Sequence, residues 1–194
     1  ITAGEKTALA DFGILDAPRA AWVHGPLLLN LSDGQMDFGK LKGPVALSGV
    51  DLEACLSLEC GASVCLTVEN ECVFHELAAK RTGVLLIQTS FPGAATRMLL
   101  EKLPAHLKFH HFGDSDPAGF AILRDLCERT RRLFRPVMMR FREGNDSVPL
   151  TPGEIEEIGR SLVSPHLAES HAELHAMLSA GVKGDFEQES LPME

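Results

Sequence analysis

From about residue 62 onward, two patterns of apolar and polar residues take turns along the chain. Short apolar runs of strand length alternate with longer segments in which apolar residues recur at helical spacing. The predicted strands are ASVCLTV, GVLLIQT, LKFHHF and PVMMRF, and the predicted helices between them are NECVFHELAAKR, GAATRMLLEKL and PAGFAILRDLCERT. Alternating strands and helices predict an α/β fold, with a largely parallel sheet and helices on both faces.

The segment before residue 62 has a different character. The runs WVHGPLLLNL and GPVALSGV are interrupted by glycine and proline, which predicts short strands or a hairpin, and DLEACLSL predicts a short helix. We therefore divide the chain into a β-rich segment, residues 1–61, and an α/β domain, residues 62–194. The second part ends in further helices, one of which starts at Thr151 with Pro152 and Glu154 in the first turn.

Composition narrows the class of protein. The chain has 194 residues, 45% of them hydrophobic, which is enough for a packed core. It contains no apolar run near the roughly 18 residues of a membrane helix, so we expect no membrane contact. Five cysteines, an odd number without a C-x-x-C pair, predict reduced thiols and a cytoplasmic location. Because the chain begins with Ile1 and not Met, we expect it to be part of a longer protein.

Charge gives two opposing indications about nucleic acid. The net charge of −9 is unusual for a nucleic-acid-binding protein. However, seven arginines fall between residues 124 and 142, and such a cluster can neutralise phosphates locally. Arg124, Arg131 and Arg132 are the candidates for DNA contact. The alternative is that the arginines form a solvated helix face and offset nearby acids.

Three carboxylates follow predicted parallel strands. Glu69 ends the first strand in LTVEN, and Asp114 and Asp116 follow the third strand in FGDSDPAG. Ligands of open α/β sheets bind at the carboxyl ends of the strands, and the first and third strands can be neighbours. Grouped carboxylates repel one another unless a cation lies between them, and Mg²⁺ prefers oxygen ligands. The spacing thus indicates a candidate Mg²⁺ site suited to phosphoryl transfer.

Two of the three acids also have a structural explanation to be weighed. Asp116 before Pro117 is a typical helix start, with aspartate as the N-cap residue and proline at the first helical position. Glu69 could simply end a strand while Asn70 caps the next helix. Asp114 has no such local explanation, because Gly113 already supplies the turn. From the spacing alone, both interpretations stay open.

The motifs resemble a known family. A glutamate after the first strand and D-x-D after a later one resemble the Toprim domain of topoisomerases, primases and nucleases. From about Ala62 to the end, the chain resembles more closely the C-terminal domain of JetD, the nuclease subunit of Wadjet plasmid-defence systems. The matching segments are LTVENECVF, HHFGDSDPAGFAIL and the terminal FEQESL. The DNA-contacting domain expected upstream in JetD has no counterpart in this sequence.

The resemblance implies a Toprim-like Rossmannoid sheet and a metal-dependent endonuclease acting on double-stranded DNA. Glu69 would be the general acid/base or a metal ligand, and Asp114 and Asp116 would bind Mg²⁺, with Mn²⁺ as a substitute. Glu187 and Glu189 match the terminal motif, and one of them would join the metal site. The family also implies subunits of an SMC-like complex as partners, and a homodimer. The chain has no tyrosine, so water is the expected nucleophile.

Two other functions compete with this hypothesis. The domain could be a non-catalytic docking or dimerisation module whose acids are caps and surface charge. It could also be a phosphatase of the haloacid-dehalogenase type, which uses D-x-D as well. In that class, Thr or Val usually stands two places after the second aspartate, whereas this chain has Pro117 and Ala118. The pair also comes late in the chain and not after the first strand.

Two further positions carry candidate chemistry. Ser90 and Gly93, in TSFPGAATRML, lie between a predicted strand and a helix, where free N–H groups could hold a phosphate. An ordinary capped helix start is the alternative. His110 or His111 could face the carboxylates and steady a phosphate, or pack at the end of its strand.

Overall fold

A computed structural model describes residues 20–80, 83–144 and 147–184 of the chain. Its nine strands are β1 (Ala21–His24), β2 (Leu27–Leu31), β3 (Gly34–Asp37), β4 (Val45–Leu47), β5 (Ser57–Cys60), β6 (Val64–Val68), β7 (Leu85–Gln88), β8 (Lys108–Phe112) and β9 (Phe134–Pro136) within those ranges. Six strands form one sheet in the order β4-β1-β7-β6-β8-β9, and the other three form a small sheet in the order β3-β2-β5. Strands β7, β6, β8 and β9 run parallel, whereas β1 is antiparallel to both of its neighbours.

The α-helices of the described ranges are α1 (Gly49–Ala54), α2 (Glu71–Lys80), α3 (Ala94–Lys102), α4 (Pro117–Thr130), α5 (Pro152–Leu162) and α6 (His171–Ala180), with short 3₁₀ helices at Phe38–Lys40 and Pro165–Ser170. Helices α2, α3 and α4 each connect one parallel strand to a later one. Helices α5 and α6 follow the sheet. Helix α5 packs against α4, and α6 packs against α5 and the second 3₁₀ helix.

Two separate apolar clusters show that the sheet is covered on both faces. Leu66, Val68 and Leu86 pack with the buried side of α2, including Phe74. Their neighbours along the same strands point to the opposite face and pack with residues of α3, α4, α5 and α6. A strand buried on both sides reads as a continuous apolar run, which is the pattern that predicted β6 to β8. The predicted α/β fold with helices on both faces is confirmed.

The first strands contribute to the same sheet. Strand β1 pairs with β4 on one side and β7 on the other, while β2 joins the small antiparallel sheet. The runs WVHGPLLLNL and GPVALSGV therefore contain strands, as predicted, but β1 and β2 do not pair as a hairpin. The domain boundary at residue 61 stays a prediction.

The fourth parallel strand is shifted from its predicted position. PVMMRF was expected to form it, but β9 covers Phe134–Pro136 and only Pro136 is shared. Met138 has a φ of 60°, a left-handed conformation that cannot continue a strand. The apolar run at Val137–Met139 made the wrong segment resemble a strand.

All five cysteines are free thiols, in agreement with the predicted reduced state. Among the described residues, no helix is both long enough and apolar enough to span a bilayer.

Candidate functional site

Glu69 and Asp114 lie side by side because β6 and β8 are neighbours. Val68 pairs with Phe112, so the two strands end at the same level of the sheet. The Glu69 N–H then donates a hydrogen bond to the Phe112 carbonyl at 3.0 Å. The Asp114 N–H in turn donates to Oε2 of Glu69 at 3.2 Å. The structure therefore brings together these two predicted site residues, and the expected adjacency of the first and third parallel strands is confirmed.

The conformation of the loop after β8 depends on a close backbone contact. Gly119, in the first turn of α4, lies so near this loop that a Cβ atom on it would be 2.2 Å from the Asp114 carbonyl oxygen. No side chain fits in that space. The glycine of the D-x-D-x-x-G pattern is thus explained by packing, since it allows the helix to press directly on the backbone of Asp114.

Asp116 is the N-cap residue of α4. Its Oδ1 accepts a hydrogen bond from the Gly119 N–H at 2.8 Å, and Pro117 occupies the first helical position. The structural interpretation of Asp116 is therefore confirmed. A second role as metal ligand stays a prediction, because a cap occupies only one of the two carboxylate oxygens.

His111 is the buried polar neighbour of these acids. Its side chain is fully buried, and a Cβ atom on Gly113 would lie 2.7 Å from His111 Nε2 and 3.0 Å from Glu69 Oε2. The imidazole of His111 and the carboxylate of Glu69 thus both lie against Gly113, at the position where a side chain would begin. Burial lowers the pKa of His111 to about 3, so the ring is neutral at physiological pH.

Two contacts of the Thr67 hydroxyl bear on the proton of the His111 ring. If the hydroxyl donates to the His110 carbonyl at 3.1 Å, its 2.9 Å contact with His111 Nδ1 uses a proton on Nδ1. Nε2 then carries the lone pair, and it has no hydrogen-bond partner among the described residues. An unpartnered, buried acceptor is costly unless a ligand or water satisfies it. Only the position of His111 beside the aspartates pointed to it in the sequence.

The fit of a metal ion can be judged from these donors. Carboxylate oxygens of Glu69 and Asp114, with the unpartnered imidazole nitrogen nearby, have the chemistry that a divalent cation requires. Within residues 20–80, 83–144 and 147–184, however, no group of three or more His, Cys, Asp or Glu side chains is arranged to hold a metal. The donors fit in kind, and the described part of the chain does not complete the set.

The predicted residues Glu187 and Glu189 lie outside the described residues. The chain leading to them is fixed beside the D-x-D loop. Lys183 forms an ion pair with Glu154 of α5. Gly184 packs against the loop so closely that a Cβ atom there would lie 2.2 Å from the Ser115 carbonyl oxygen. Gly184 is three positions before Glu187 in the sequence.

The candidate arginines lie away from the acids and have different surroundings. Arg124 is largely buried and forms an ion pair with Glu157, 2.8 Å away, linking α4 to α5. Arg132 donates from Nη2 to the carbonyls of Glu101 and Leu103 at the end of α3, and its guanidinium lies over the Phe109 ring. Arg131 is exposed and ends α4 in a left-handed conformation, with φ at 55°.

Arg131 and Arg132 line a basic cleft, which also contains Lys108, His110 and Arg135, with a volume of about 640 Å³. The cleft lies at the amino end of β8, whereas Asp114 follows the carboxyl end. Five residues of strand separate the two ends, or about 16 Å. The structure therefore does not bring the predicted DNA-contacting arginines together with the predicted metal ligands.

Comparison with known proteins agrees with the motifs. The family model described as "Wadjet protein JetD, C-terminal" matches residues 29–194. None of the curated proteins matches the chain.

The contact at Gly119 predicts opposite effects for two glycine substitutions. Gly119→Ala should lower the free energy of unfolding by about 1–3 kcal/mol, because the new methyl group meets the backbone of Asp114. Gly159→Ala in the exposed part of α5 is the matched control, since nothing lies within 4 Å of its added Cβ atom. It should raise stability by about 0.5–1 kcal/mol through helix propensity. Urea unfolding measures both, and a stabilised Gly119→Ala variant would contradict the contact.

The pKa of His111 predicts a loss of stability in mild acid. The unfolded chain binds a proton at the ordinary histidine pKa of about 6.5, whereas the folded chain binds it only near pH 3. The unfolded state therefore holds more protons between these values. The free energy of unfolding should fall as the pH drops below about 6.5, by at most about 1.4 kcal/mol per pH unit.

Urea unfolding at about pH 7.5 and about pH 5 in metal-free buffer tests this dependence. His111→Asn removes the titrating ring and should reduce the difference between the two measurements. His166→Asn, at an exposed position, is the control and should leave the difference unchanged. An equal pH dependence in wild type and His111→Asn would show that the buried imidazole is not its source.

Proposed function

Since the chain belongs to the family of the C-terminal region of the Wadjet protein JetD, we propose that it is the metal-dependent DNA nuclease domain of a Wadjet-type plasmid-defence system. The observation that carries the proposal is the position of Glu69 directly beside Asp114 at the carboxyl edge of a parallel sheet. Ligands of such sheets bind at that edge. The pair of acids and the glycine-dependent loop also agree with a Toprim-like catalytic domain.

Mg²⁺ is the proposed metal, with Mn²⁺ as a substitute, and Glu69, Asp114 and Asp116 are its proposed ligands. When bound, the metal would neutralise phosphate charge and favour ionisation of the attacking water. The Asp114 N–H holds the Glu69 carboxylate in place by donating to Oε2. Asp116 accepts from Gly119 through Oδ1, which leaves Oδ2 for a ligand.

Side chains of the protein have the other proposed roles in hydrolysis. Glu69 accepts the proton of the attacking water at a carboxylate oxygen. His111 keeps a neutral ring next to that carboxylate, so it adds no positive charge to compete with a metal. Water is the proposed nucleophile because the chain has no tyrosine that could form a covalent link to DNA.

The terminal motif is proposed to supply the ligand that completes the metal site. The described acids do not form a full metal-binding group, and Gly184 rests on the D-x-D loop just before FEQESL. We assign Glu187 or Glu189 as the further ligand. This assignment rests on the family resemblance and on the contact of Gly184 with the Ser115 carbonyl group.

Double-stranded DNA is the proposed substrate, with Arg131 as the leading phosphate contact because its side chain is exposed. Arg124 and Arg132 are also proposed contacts, although their guanidinium groups already have partners within the protein. Arg124 forms an ion pair with Glu157, and Arg132 donates hydrogen bonds to carbonyl oxygens of α3 and the residue after it. The family implies that the domain acts as a homodimer with subunits of an SMC-like complex. DNA that reaches both the acids and the basic cleft must run along the side of β8 and β9.

A non-catalytic docking module is the second candidate function. The observation that favours it is the role of Asp116 as N-cap residue of α4, which explains this acid without a metal. In that case the acids would serve as a cap and as surface charge, and no divalent cation would bind at this edge.

Asp114→Asn separates the two candidates. The change keeps the shape of the side chain and removes its charge, so the circular dichroism spectrum should not change. Cleavage of supercoiled plasmid in Mg²⁺ should fall at least about a hundredfold, and Mn²⁺ binding measured by electron paramagnetic resonance should weaken. Asp33→Asn, in an exposed turn, is the matched control and should keep both plasmid cleavage and Mn²⁺ binding. Cleavage or Mn²⁺ binding that survives in Asp114→Asn would refute the metal-dependent mechanism.

Arg131→Gly tests the proposed DNA contact without unfolding the protein. Glycine adopts the left-handed conformation without strain, so the variant should be more stable by about 1 kcal/mol. Loss of one phosphate contact should weaken binding to duplexes of any sequence and reduce the salt dependence of log K by about one unit. Arg132→Ala should instead lower stability, because it removes the group that bonds the last carbonyls of α3. Unchanged duplex binding by Arg131→Gly would remove the cleft from the proposed DNA path.

A further inference from the structure

The chain after α6 forms a short extended segment, residues 181–184, whose backbone is held by hydrogen bonds. The Leu150 N–H donates to the Gly181 carbonyl at 2.9 Å, and the Lys183 N–H donates to the Val148 carbonyl at 2.8 Å. These bonds join the segment to the residues just before α5 in an antiparallel arrangement. The point from which the Lys183 side chain leaves the backbone is therefore fixed.

This segment lies against the D-x-D loop. A Cβ atom on Gly184 would lie 2.2 Å from the carbonyl oxygen of Ser115 and 3.6 Å from its Cβ atom, so the two backbones are in direct contact. Ser115 stands between Asp114 and Asp116 in the sequence. Lys183 is the residue before this contact, and packing thus places a basic residue next to the two aspartates.

The side chain of Lys183 is held by the first turn of α5. Its Nζ forms an ion pair with Oε1 of Glu154, and the two side chains are 31% and 24% exposed. The other oxygen of Glu154, Oε2, accepts a hydrogen bond from the Thr151 N–H at 2.8 Å in the capping box of the helix. Because Glu154 is itself fixed by the cap, it determines where the ammonium group lies.

Helix α5 begins at the same edge of the sheet as α4. Arg124 of α4 forms an ion pair with Glu157 of α5, and further along both helices the hydroxyl of Ser164 donates to Glu128 at 3.2 Å. Contacts that advance together along both helices show that the helices run in the same direction. The first turn of α5, which holds Lys183, therefore lies beside the first turn of α4, which Asp116 caps.

The charges around Lys183 agree with this position. Its hydrogen bond to Glu154 raises the pKa of Lys183, and the negative charges of Glu154 and Asp116 add to the rise. The ammonium group thus stays charged at physiological pH and lies within electrostatic range of Asp116.

The ammonium group has donors available for a ligand. It carries three N–H donors, and Glu154 is the one acceptor in contact with it among the described residues. Lysine is a common phosphate ligand in proteins, as a compact positive charge. An ion pair with this much exposure contributes little to stability, and backbone bonds and the Gly184 contact already hold the segment. Fixing the chain therefore does not require the charge of Lys183.

We propose that Lys183 contacts a backbone phosphate of DNA at the carboxyl edge of the sheet, next to the proposed metal ligands. The ammonium group donates to a non-bridging phosphate oxygen while one of its donors stays on Glu154. It supplies positive charge where the neighbouring side chains are carboxylates. The identity of the ligand as DNA rests on the nuclease function proposed above.

The two members of the ion pair give opposite predictions for binding of a short duplex, measured by fluorescence anisotropy with Ca²⁺ in place of Mg²⁺. Lys183→Gln should weaken binding about tenfold and reduce the salt dependence of log K by about one unit, because one phosphate contact is lost. Lys183→Arg should keep the salt dependence of wild type. Glu154→Gln keeps the helix cap, since glutamine also suits this position, and it leaves the charge of Lys183 in place. It should bind DNA at least as tightly as wild type.

Lys80→Gln is the matched control. Lys80 also forms an ion pair with a glutamate, Glu76, but it is the last residue of α2, a helix that starts at the carboxyl edge and runs away from it. This variant should bind as wild type does. Equal weakening by Lys183→Gln and Glu154→Gln would show that the ion pair serves only to hold the chain and would overturn the phosphate contact. Unchanged binding by Lys183→Gln, or a wild type that binds no duplex, would overturn it as well.

A second measurement locates the contact and separates it from the nuclease function. In a series of short duplexes, one phosphate at a time is replaced by an uncharged methylphosphonate. Lys183→Gln should be insensitive at one position to which wild type is sensitive, and Arg131→Gly at a different position, because the 14 residues of α4 separate the two sites by about 20 Å. The same position for both variants would contradict the assignment to the carboxyl edge.

Plasmid cleavage in Mg²⁺ distinguishes the two proposals. If Lys183→Gln shows the expected binding defect while wild type never cleaves plasmid, the nuclease function fails and the phosphate contact stands. If wild type and Lys183→Gln cleave equally well and bind duplex equally, the nuclease function stands and the contact of Lys183 with DNA is refuted.

Discussion

Five pairs of residues join β6 to β8, from Val64 opposite Lys108 to Val68 opposite Phe112, and this parallel pairing determines what lies at the carboxyl edge. Both strands end at the same level, so Glu69 and Asp114 leave the sheet at neighbouring points although 45 positions separate them. A shift of one residue in the register would point the side chains of β8 to the other face of the sheet. His111 would then no longer lie beside Glu69.

Negative and positive groups lie at opposite ends of the sheet. The acids follow the carboxyl ends of β6 and β8, while the basic cleft lies at the amino end of β8. The two most buried candidate arginines are held by structural contacts, Arg124 by Glu157 and Arg132 by carbonyl oxygens of α3. In the proposed function, a phosphate at the acid edge would therefore be held by a metal more than by arginine. This arrangement is compatible with a net charge of −9.

Local patterns in the sequence predicted the parallel strands and the adjacency of Glu69 and Asp114, because buried strands and helices leave strong periodic signals. They placed the fourth strand wrongly, since an apolar run does not show that Met138 adopts a left-handed conformation. They did not show the ion pair between Arg124 and Glu157, because partners 33 positions apart leave no local pattern. Contact of Arg124 with DNA stays a prediction. The role of Thr67 in orienting His111 likewise joins residues 44 positions apart.

The spacing of the D-x-D-x-x-G motif reflects packing as well as chemistry. The loop after β8 is pressed by Gly119 on the Asp114 backbone and by Gly184 on Ser115. Ser115 itself is fully buried, and its hydroxyl has no partner among the described residues. A loop packed this tightly would keep the same glycines whether or not the acids bound metal, so the motif alone does not separate a nuclease from a docking module. The feature beside Glu69 that packing does not require is the imidazole of His111, whose Nε2 is buried and has no hydrogen-bond partner among the described residues. Apolar residues of similar size would fill that position at lower cost, which is why this nitrogen supports the catalytic interpretation.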